Sequence, residues 1–290
     1  MSAWSITVLG VAQDGGLPHP GCVCARCDGA RRGTRRREKV ACLGLTDGRR
    51  TWLVDATPDL PEQLHALTSS LPHAASGPHA AGAVGATGAA RSPDGVFLTH
   101  AHMGHYVGLA YLGKEALGAR GMVLHGTRRM GDFLHDNAPW CALLDEGRAT
   151  FDASGAVDLG GGLRAETIPV PHRQEFTDAV AWVLRGPRKS ALWLPDIDSW
   201  DAWDRNVRDV VASVDVAFLD ATFFADGELG TRDMSEIPHP RVVETMDRLA
   251  GLESRVRLVH LNHSNPLWDD DSPATSRGFR VAREGETFEL

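Results

Sequence analysis

The sequence has no apolar run that approaches the roughly 18 residues of a membrane-spanning helix, so we expect no membrane attachment. Residues 1–16 also lack the charged start and the apolar core of a secretory signal, and we therefore expect a cytoplasmic protein. Positive charge is not in excess, since 30 Lys and Arg face 38 Asp and Glu and the formal net charge is −8. This balance argues against general nucleic-acid binding, which needs many cations, but it is compatible with a small anionic substrate.

Cysteine is scarce, and its pattern excludes a disulfide framework. There are five cysteines, an odd number, and three of them are crowded into Cys22, Cys24 and Cys27. Metal binding is the better interpretation of these three. The basic residues that follow them are interpreted as a solvated face rather than a binding patch. They are Arg31, Arg32, Arg35, Arg36, Arg37 and Lys39.

The glycines at 10, 15 and 16 follow a short apolar strand, but no Gly-Lys-Ser/Thr comes after them. A phosphate-binding loop of the NTPase kind is thereby excluded, and we predict a loop that permits close backbone approach. No internal repeat is evident. With 290 residues and 42% hydrophobic content, the chain can bury a substantial core without disulfides.

Short apolar runs alternate with helical patterns along the chain. Strands are predicted at 6–9, 41–45, 51–54, 96–98, 122–124, 165–170, 180–184, 191–194, 216–219 and 256–261, and helices at 59–67, 107–117, 128–134, 200–211 and 242–249. This order predicts an α/β sandwich of two sheets with helices outside, in one domain spanning 1–290. Residues 73–92, rich in Ala, Gly, Ser and Pro, are expected to form a flexible surface insertion in which His73 and His79 are bystanders.

The strongest chemical signal is a group of three histidines within six residues. His100, His102 and His105 lie just after a predicted strand and before a predicted helix. At such a turn three imidazoles can converge on one point, and imidazole is a common ligand of Zn²⁺ and Fe²⁺. The spacing therefore predicts a metal site.

This run resembles the His-x-His-x-Asp-His signature of the metallo-β-lactamase superfamily. The resemblance extends over nearly the whole chain, because His172, Asp196 and His260 match the superfamily's later metal-binding segments in order. It implies an αββα sandwich of two mixed sheets with outer helices. It also implies a metal-dependent hydrolase that holds one or two ions of zinc, manganese or iron.

One position departs from the signature, since Gly104 stands where the family has Asp. By the resemblance, one metal keeps His100, His102, His172 and Asp196. The second retains only His105, His260 and Asp196. We therefore expect this second site to bind weakly or to recruit a ligand from elsewhere, with Asp220 as the nearest candidate. If the pocket has room for a carboxylate, Gly104→Asp is expected to raise the metal content.

The cysteine cluster resembles the structural zinc site of the phosphonate-pathway cyclic phosphodiesterase and of pyrroloquinoline quinone biosynthesis protein B. Closely spaced thiolates favour a closed zinc site with one further ligand. In that phosphodiesterase family, a His-x-x-His pair near the end supplies one catalytic and one structural ligand. Carried onto His260 and His263, the resemblance makes His263 the fourth ligand of Cys22, Cys24 and Cys27.

Asp220 and His239 resemble paired segments of the tRNA 3′-processing endonuclease branch of the fold, in which an acidic residue orients a histidine that protonates the leaving oxygen. A carboxylate beside an imidazole favours its charged form, as a general acid requires. The alternative is a histidine that caps the following helix and an unrelated aspartate. Arg173, Asp198 and His125 lie beside matched segments and are expected to be structural rather than catalytic.

Three functions follow from these patterns. The leading hypothesis is hydrolysis of a small or cyclic phosphodiester by metal-activated water, with His239 protonating the leaving alkoxide. The second is an iron-dependent oxygenase like pyrroloquinoline quinone biosynthesis protein B, which residues 260–267 and 271–273 resemble, although that family usually lacks the first histidines of the motif. The third is a non-catalytic metal-binding protein. Homodimerisation is left open.

Overall fold

The computed structural model describes residues 4–69 and 92–290, so the predicted insertion at 73–92 lies outside the described residues except for its last position. The described residues form two seven-stranded sheets. The strands are β1 Ser5–Gly10, β2 Cys42–Thr46, β3 Thr51–Val54, β4 Gly95–Phe97, β5 Met122–His125, β6 Ala149–Asp152, β7 Ala156–Gly160, β8 Leu163–Val170, β9 Ala179–Arg185, β10 Ser190–Leu194, β11 Val216–Asp220, β12 Val256–Val259, β13 Arg280–Val281 and β14 Thr287–Glu289.

The first sheet has the order β14-β1-β2-β3-β4-β5-β6, with β1, β2 and β3 antiparallel and β3 to β6 parallel. Its hairpin between β2 and β3 turns at Asp47 and Gly48, as predicted from the sequence. Gly48 has a φ of 85°, which a side chain would strain. The Asp47 carboxylate accepts from the backbone N–H groups of Arg49 and Arg50 and closes the turn.

The second sheet has the order β13-β12-β11-β10-β9-β8-β7, in which β10 to β13 are parallel and β7 to β10 are antiparallel. Parallel central strands are buried on both faces and are therefore apolar throughout. Leu192, Trp193 and Leu194 in β10 are completely buried, as are Phe218 and Leu219 in β11.

Helices cover the outer faces of both sheets. They are α1 Ala25–Arg31, α2 Leu60–Ser69, α3 Met103–Tyr106, α4 Arg128–Asp136, α5 Cys141–Asp145, α6 Val207–Ala212, α7 Val242–Arg248 and α8 Ser272–Thr275. Side chains alternate between the two sides of the first sheet. Trp52 and Val54 join the core shared by both sheets, whereas Leu53 packs on the outer side with residues of α2. The predicted αββα sandwich of mixed sheets is thus confirmed.

Two helix predictions were wrong in extent. The segment predicted as a helix at 200–211 is helical only from Val207, because the Asn206 side chain accepts from Arg208 N and starts the helix there. Before that point, the Trp200 indole donates to Thr245 and the Trp203 indole donates to the Pro169 carbonyl, which holds this segment in an irregular path. The helix predicted at 107–117 is a 3-10 helix that ends at Leu112. No helix in the described ranges is long and apolar enough to cross a membrane.

Candidate metal centre

Polar side chains gather where strands of both sheets end. His172 follows β8 and Asp196 follows β10, while Asp220 is the last residue of β11 and His260 follows β12. His100 comes shortly after β4 of the other sheet. Apart from Asp220, these residues lie in connections, and they converge because the strand ends lie side by side in the sandwich.

His100, His102 and His172 form a first group whose nitrogen atoms lie within 4.8 Å of one another. His102 Nδ1 lies 2.9 Å from His100 Nε2 and 3.1 Å from His172 Nε2. The remaining ring nitrogens are held from outside: His172 Nδ1 donates to Asp198 at 2.9 Å and His100 Nδ1 lies 3.0 Å from the Thr99 hydroxyl. Such partners fix the ring so that the other nitrogen can ligate a metal.

A second group consists of Asp14, His105, Asp196 and His260. Asp196 Oδ2 lies 2.8 Å from His105 Nε2, 3.4 Å from His260 Nε2 and 3.5 Å from His100 Nε2, so this carboxylate stands between the two groups. Burial opposes its charged form, but His260 and the neighbouring histidines hold the pKa of Asp196 well below its usual range. An anionic oxygen in this position could bridge two cations.

The surroundings of His105 show whether these residues fit a cation. Its Nδ1 donates to Asp55 Oδ2 at 2.9 Å, and Asp55 also accepts from the Trp193 indole and from Thr99. With Nδ1 bonded to Asp55, the neutral ring would present the lone pair of Nε2 to a cation. The ring is completely buried, and among the described residues Nε2 has no hydrogen-bond partner although it faces Asp14 and Asp196. A divalent cation among these donors would satisfy it.

Asp14 occupies the space that Gly104 leaves open. A Cβ on residue 104 would lie 2.3 Å from Asp14 Oδ1 and 2.8 Å from Asp14 Cα, so a motif aspartate has no room here. Asp220, the substitute considered from the sequence, has several partners: Oδ1 accepts from Thr222 and Oδ2 accepts from Ile197 N and faces His239. Asp220 also lies with His239 and His260 in a group that could hold a cation, so its candidacy as a ligand stays a prediction. The expected gain from Gly104→Asp depended on room for a carboxylate, which is not there, so that expectation is corrected.

Asp14 and Asp55 were both missed in the sequence. Each is a single aspartate in a connection, Asp14 in the glycine-rich loop and Asp55 directly after β3. Their positions after buried strands were the available signal, because carboxyl ends of strands commonly line sites in such sheets. Burial opposes ionisation of Asp14, but His105 and His260 hold the pKa of its carboxyl well below the usual range.

Asp220 and His239 lie together at the edge of both groups. His239 Nδ1 donates to Asp220 Oδ2 at 2.7 Å, and the ring is buried. Burial opposes the charged imidazole, but the Asp220 carboxylate outweighs it and raises the pKa of His239 to about 9. The helix α7 begins at Val242 with Arg241 before it, so the structure does not support the alternative in which His239 caps this helix.

A cavity of about 480 Å³ opens beside His239. Its wall includes the guanidinium-bearing residues Arg173 and Arg232, together with Phe223 and Asn262. Arg173, expected from the sequence to be structural, therefore lines the space next to the candidate catalytic histidine. Glu236 also lines the cavity, so the two arginines together with His239 leave an excess of positive charge that suits an anionic molecule.

Cys22, Cys24, Cys27 and His263 form a separate group with ligand atoms within 4.8 Å of one another. His263 Nδ1 lies 3.6 Å from Cys22 Sγ and 3.9 Å from Cys24 Sγ. Tetrahedral zinc with bonds of about 2.3 Å to sulfur and 2.0–2.1 Å to nitrogen separates such atoms by about 3.6 Å. The group fits a zinc ion, and α1 brings Cys27 to it from one side while the segment after β12 brings His263 from the other.

Comparison with known families and sequences agrees with this geometry. The family described as Beta-lactamase superfamily domain matches residues 50–263. Coenzyme PQQ synthesis protein B from Azotobacter vinelandii is 27% identical over 98% of this chain and 99% of its own length. The protein of the same description from Cupriavidus necator is 27% identical over 99% of both.

Solved structures share the fold. The Zn²⁺-bound PqqB from Methylobacterium extorquens superposes with a TM-score of 0.76 and 22% identity, covering 99% of this chain and 100% of that one. A diphosphatase of the PhnP family gives a TM-score of 0.67 at 21% identity over 99% and 97% of the two chains. The short form of human tRNase Z gives 0.57 at 15% identity over 98% of each.

Proposed function

The chain belongs to the β-lactamase superfamily, and on that premise we propose that it is a metal-dependent hydrolase of a small or cyclic phosphodiester. The proposal rests on the pair of Asp220 and His239, which are hydrogen-bonded to each other. His239 lies next to Asp196 and His260 of the ligand groups. Its ring also lines the cavity that contains Arg173 and Arg232. A divalent metal bound by the histidine and aspartate ligand groups would supply an activated water and neutralise charge on the phosphate.

The residues of the chain have distinct roles in this proposal. Asp220 accepts the Nδ1 proton of His239 and fixes the ring, so the proton on Nε2 is available to the leaving oxygen. Arg173 and Arg232 bind the anionic part of the substrate and orient it in the cavity. The first ion is assigned to His100, His102, His172 and Asp196, and a zinc ion in a structural role to the cysteine group with His263.

The size of the cavity argues for a small substrate. About 480 Å³ accommodates a nucleotide-sized molecule, and a formal charge of −8 opposes a long polyanion at the surface. The zinc-bound relative and the diphosphatase of similar fold support metal-assisted chemistry in such a site, and the identity of the active metal is left to elemental analysis.

The test combines metal analysis with a substrate screen. Protein purified without added metal is analysed for zinc, manganese and iron, and is then assayed on 2′,3′-cyclic and linear phosphodiesters and on an aryl phosphodiester. We expect hydrolysis that is abolished by a chelator, restored by divalent metal and absent from an Asp196→Asn control. Metal-loaded, folded protein without turnover of any phosphodiester would refute the proposal.

A second function is favoured by one observation, the full-length similarity to proteins described as coenzyme PQQ synthesis protein B. Under this alternative the centre would hold iron and hydroxylate a peptide, with one atom of O₂ entering the peptide and the other leaving as water at the expense of an added two-electron reductant. Protein enriched in iron that hydroxylates a peptide only when both air and reductant are present would support it. Phosphodiester hydrolysis at equal rate with and without O₂ would exclude oxygen chemistry from the hydrolytic reaction.

A further inference from the structure

We propose that Asp14, in the loop after β1, replaces the carboxylate that the histidine motif lacks at Gly104 and completes a second divalent-cation site with His105, Asp196 and His260. The proposal rests on the assignment of this centre to divalent metals but not on the phosphodiesterase reaction. One ligand of this second site would come from a loop that is remote in sequence from the histidine motif.

Three of the four nitrogen–oxygen distances match a tetrahedral coordination shell, and the fourth, between His105 Nε2 and Asp196 Oδ2, is shorter at 2.8 Å. A single atom, Asp14 Oδ1, lies 3.3 Å from His105 Nε2 and 3.2 Å from His260 Nε2. Asp196 Oδ2 lies 2.8 Å and 3.4 Å from the same two nitrogens. Ligand atoms about 2.0–2.1 Å from one ion are separated by about 3.3 to 3.5 Å in a tetrahedron. Four donors are therefore arranged around one point, with the buried lone pair of His105 among them.

A side chain at residue 104 and Asp14 in its present position are mutually exclusive. Because a Cβ at residue 104 would contact both Oδ1 and Cα of Asp14, a side chain on the motif requires the loop to withdraw. The glycine is therefore the condition for the approach of Asp14, and the missing motif carboxylate does not by itself mean a missing site. A carboxylate from the loop after β1 fills the space that a side chain on residue 104 would enter.

The loop that carries Asp14 is held by the two residues that follow His260. Gln13 N donates to the Leu261 carbonyl and Leu261 N donates to the Val11 carbonyl, at 2.9 and 3.0 Å. The Asn262 side chain also donates to Gln13 Oε1. These bonds position Asp14 relative to His260, and its side chain meets His105 of α3 from there.

A purely electrostatic role for Asp14 is the competing account, since a carboxylate beside two imidazoles stabilises them without metal. The metal content of Asp14→Asn separates the two, because this substitution keeps the size and removes the charge, and only a ligand role predicts that an ion is lost with it. We expect wild-type protein saturated with zinc to hold three ions per chain, two in the centre and one at the cysteines. The variant should hold two.

Metal content is measured by elemental analysis after removal of excess ion, and binding of Mn²⁺ and Zn²⁺ by calorimetry. Loss of an outer partner typically weakens metal binding 10- to 100-fold, so loss of this direct ligand should weaken the second event at least about tenfold. Asp152→Asn is the matched control, because Asp152 also contacts a buried histidine, His125, and neither residue belongs to a ligand group in the described part of the chain. It should keep three ions.

The cysteine-bound zinc serves as an internal count, and a cooperative melting transition reports folding. Asp14→Asn that folds and retains both centre ions with unchanged affinity would overturn the proposal, as would wild-type protein that binds a single centre ion at saturation. If Asp14→Asn does not fold, Asp14→Glu is used, where a lengthened carboxylate should alter the second affinity and leave the first unchanged. If Asp14→Asn loses the second ion but the wild-type protein hydrolyses no phosphodiester, only the proposed function is refuted.

Discussion

Three non-glycine residues at the candidate centre have a left-handed backbone. Asp55, His239 and His260 have φ values of 69°, 86° and 63°. Such conformations cost roughly 1–3 kcal/mol each and persist where surrounding contacts determine them. Asp55 holds His105, His239 holds Asp220, and His260 is tied to Thr222. The strained backbone therefore aims the very side chains that the centre uses.

His239 can be tested through the leaving group. His239→Ala should slow hydrolysis of an alkyl phosphodiester about 10²- to 10⁴-fold, the usual contribution of a general acid. An aryl oxide leaves with little assistance, so an activated aryl phosphodiester should be far less affected. Steady-state kcat on both substrates measures the difference. An equal loss on the two would assign His239 to binding or to structure.

The backbone strain at the same residue gives a second prediction. Glycine adopts a φ of 86° without steric cost, whereas alanine does not. His239→Gly should therefore be more stable than His239→Ala by roughly 1 kcal/mol, although both remove the imidazole. Urea unfolding of the two variants measures this difference, with metal content checked in each. If alanine is as stable as glycine, the positive φ carries no strain.

At the scale of elements, the segment after β12 serves both metal groups. His260 faces Asp14 and Asp196, and His263, three residues later, faces Cys22 and Cys24. The backbone between them pairs with the loop after β1 through Ala12 and Leu261. The two ligand groups therefore share one short connection, and a displacement at one end reaches the other.

Cys24→Ala tests the cysteine group at this scale. Binding free energy at a structural zinc site is also folding free energy, so the variant should lose one zinc per chain and melt at a lower temperature. Cys141→Ala is the matched control, since Cys141 lies in α5 outside this group. Elemental analysis and thermal melting measure the outcome. Full zinc content and unchanged melting in Cys24→Ala would remove its assignment as a ligand.

Elements with a continuous apolar run could be predicted from the sequence, because burial on both faces of a sheet demands such a run. The residues 191–194 and 216–219 are examples, and both strands lie where expected. The prediction of a helix at 200–211 was wrong over its first half, because Trp200 and Trp203 fit a helical period but donate to acceptors that are distant in sequence. Asp14 could not be predicted, since its approach to His105 depends on how β1 and β12 meet.

At the scale of the molecule, the centre joins the two sheets. His100 follows a strand of the first sheet, and Asp196 and His260 follow strands of the second. The first sheet also sends the Asp14 loop across to β12, where Ala12 bridges Leu261. Ions held by both sets of residues would therefore stabilise the contact between the sheets as well as the site.

Metal removal should accordingly lower global stability. An ion present at a hundredfold excess over its Kd stabilises the folded state by about 2.7 kcal/mol. Chelation of the centre should then lower the Tm by on the order of 5 °C, in one cooperative transition, since large domains shift about 2–4 °C per kcal/mol. Differential scanning calorimetry with and without chelator measures this change in Tm, on samples that hold the same amount of zinc at the cysteines. An unchanged Tm would show that the ions do not link the sheets.

The pairing of the loop after β1 with the segment 260–263 also determines when, during synthesis, the metal ligands can assemble. A ribosome makes His105 and the cysteines early, but roughly 150 residues and on the order of 10 to 30 s separate His105 from His260. Until that late segment emerges, neither the group of Asp14, His105, Asp196 and His260 nor the cysteine group is complete, and their thiols and imidazoles are accessible to other ions. These two sites therefore become able to bind their ions within the same few residues of translation, later than the ligands His100, His102, His172 and Asp196 of the first ion.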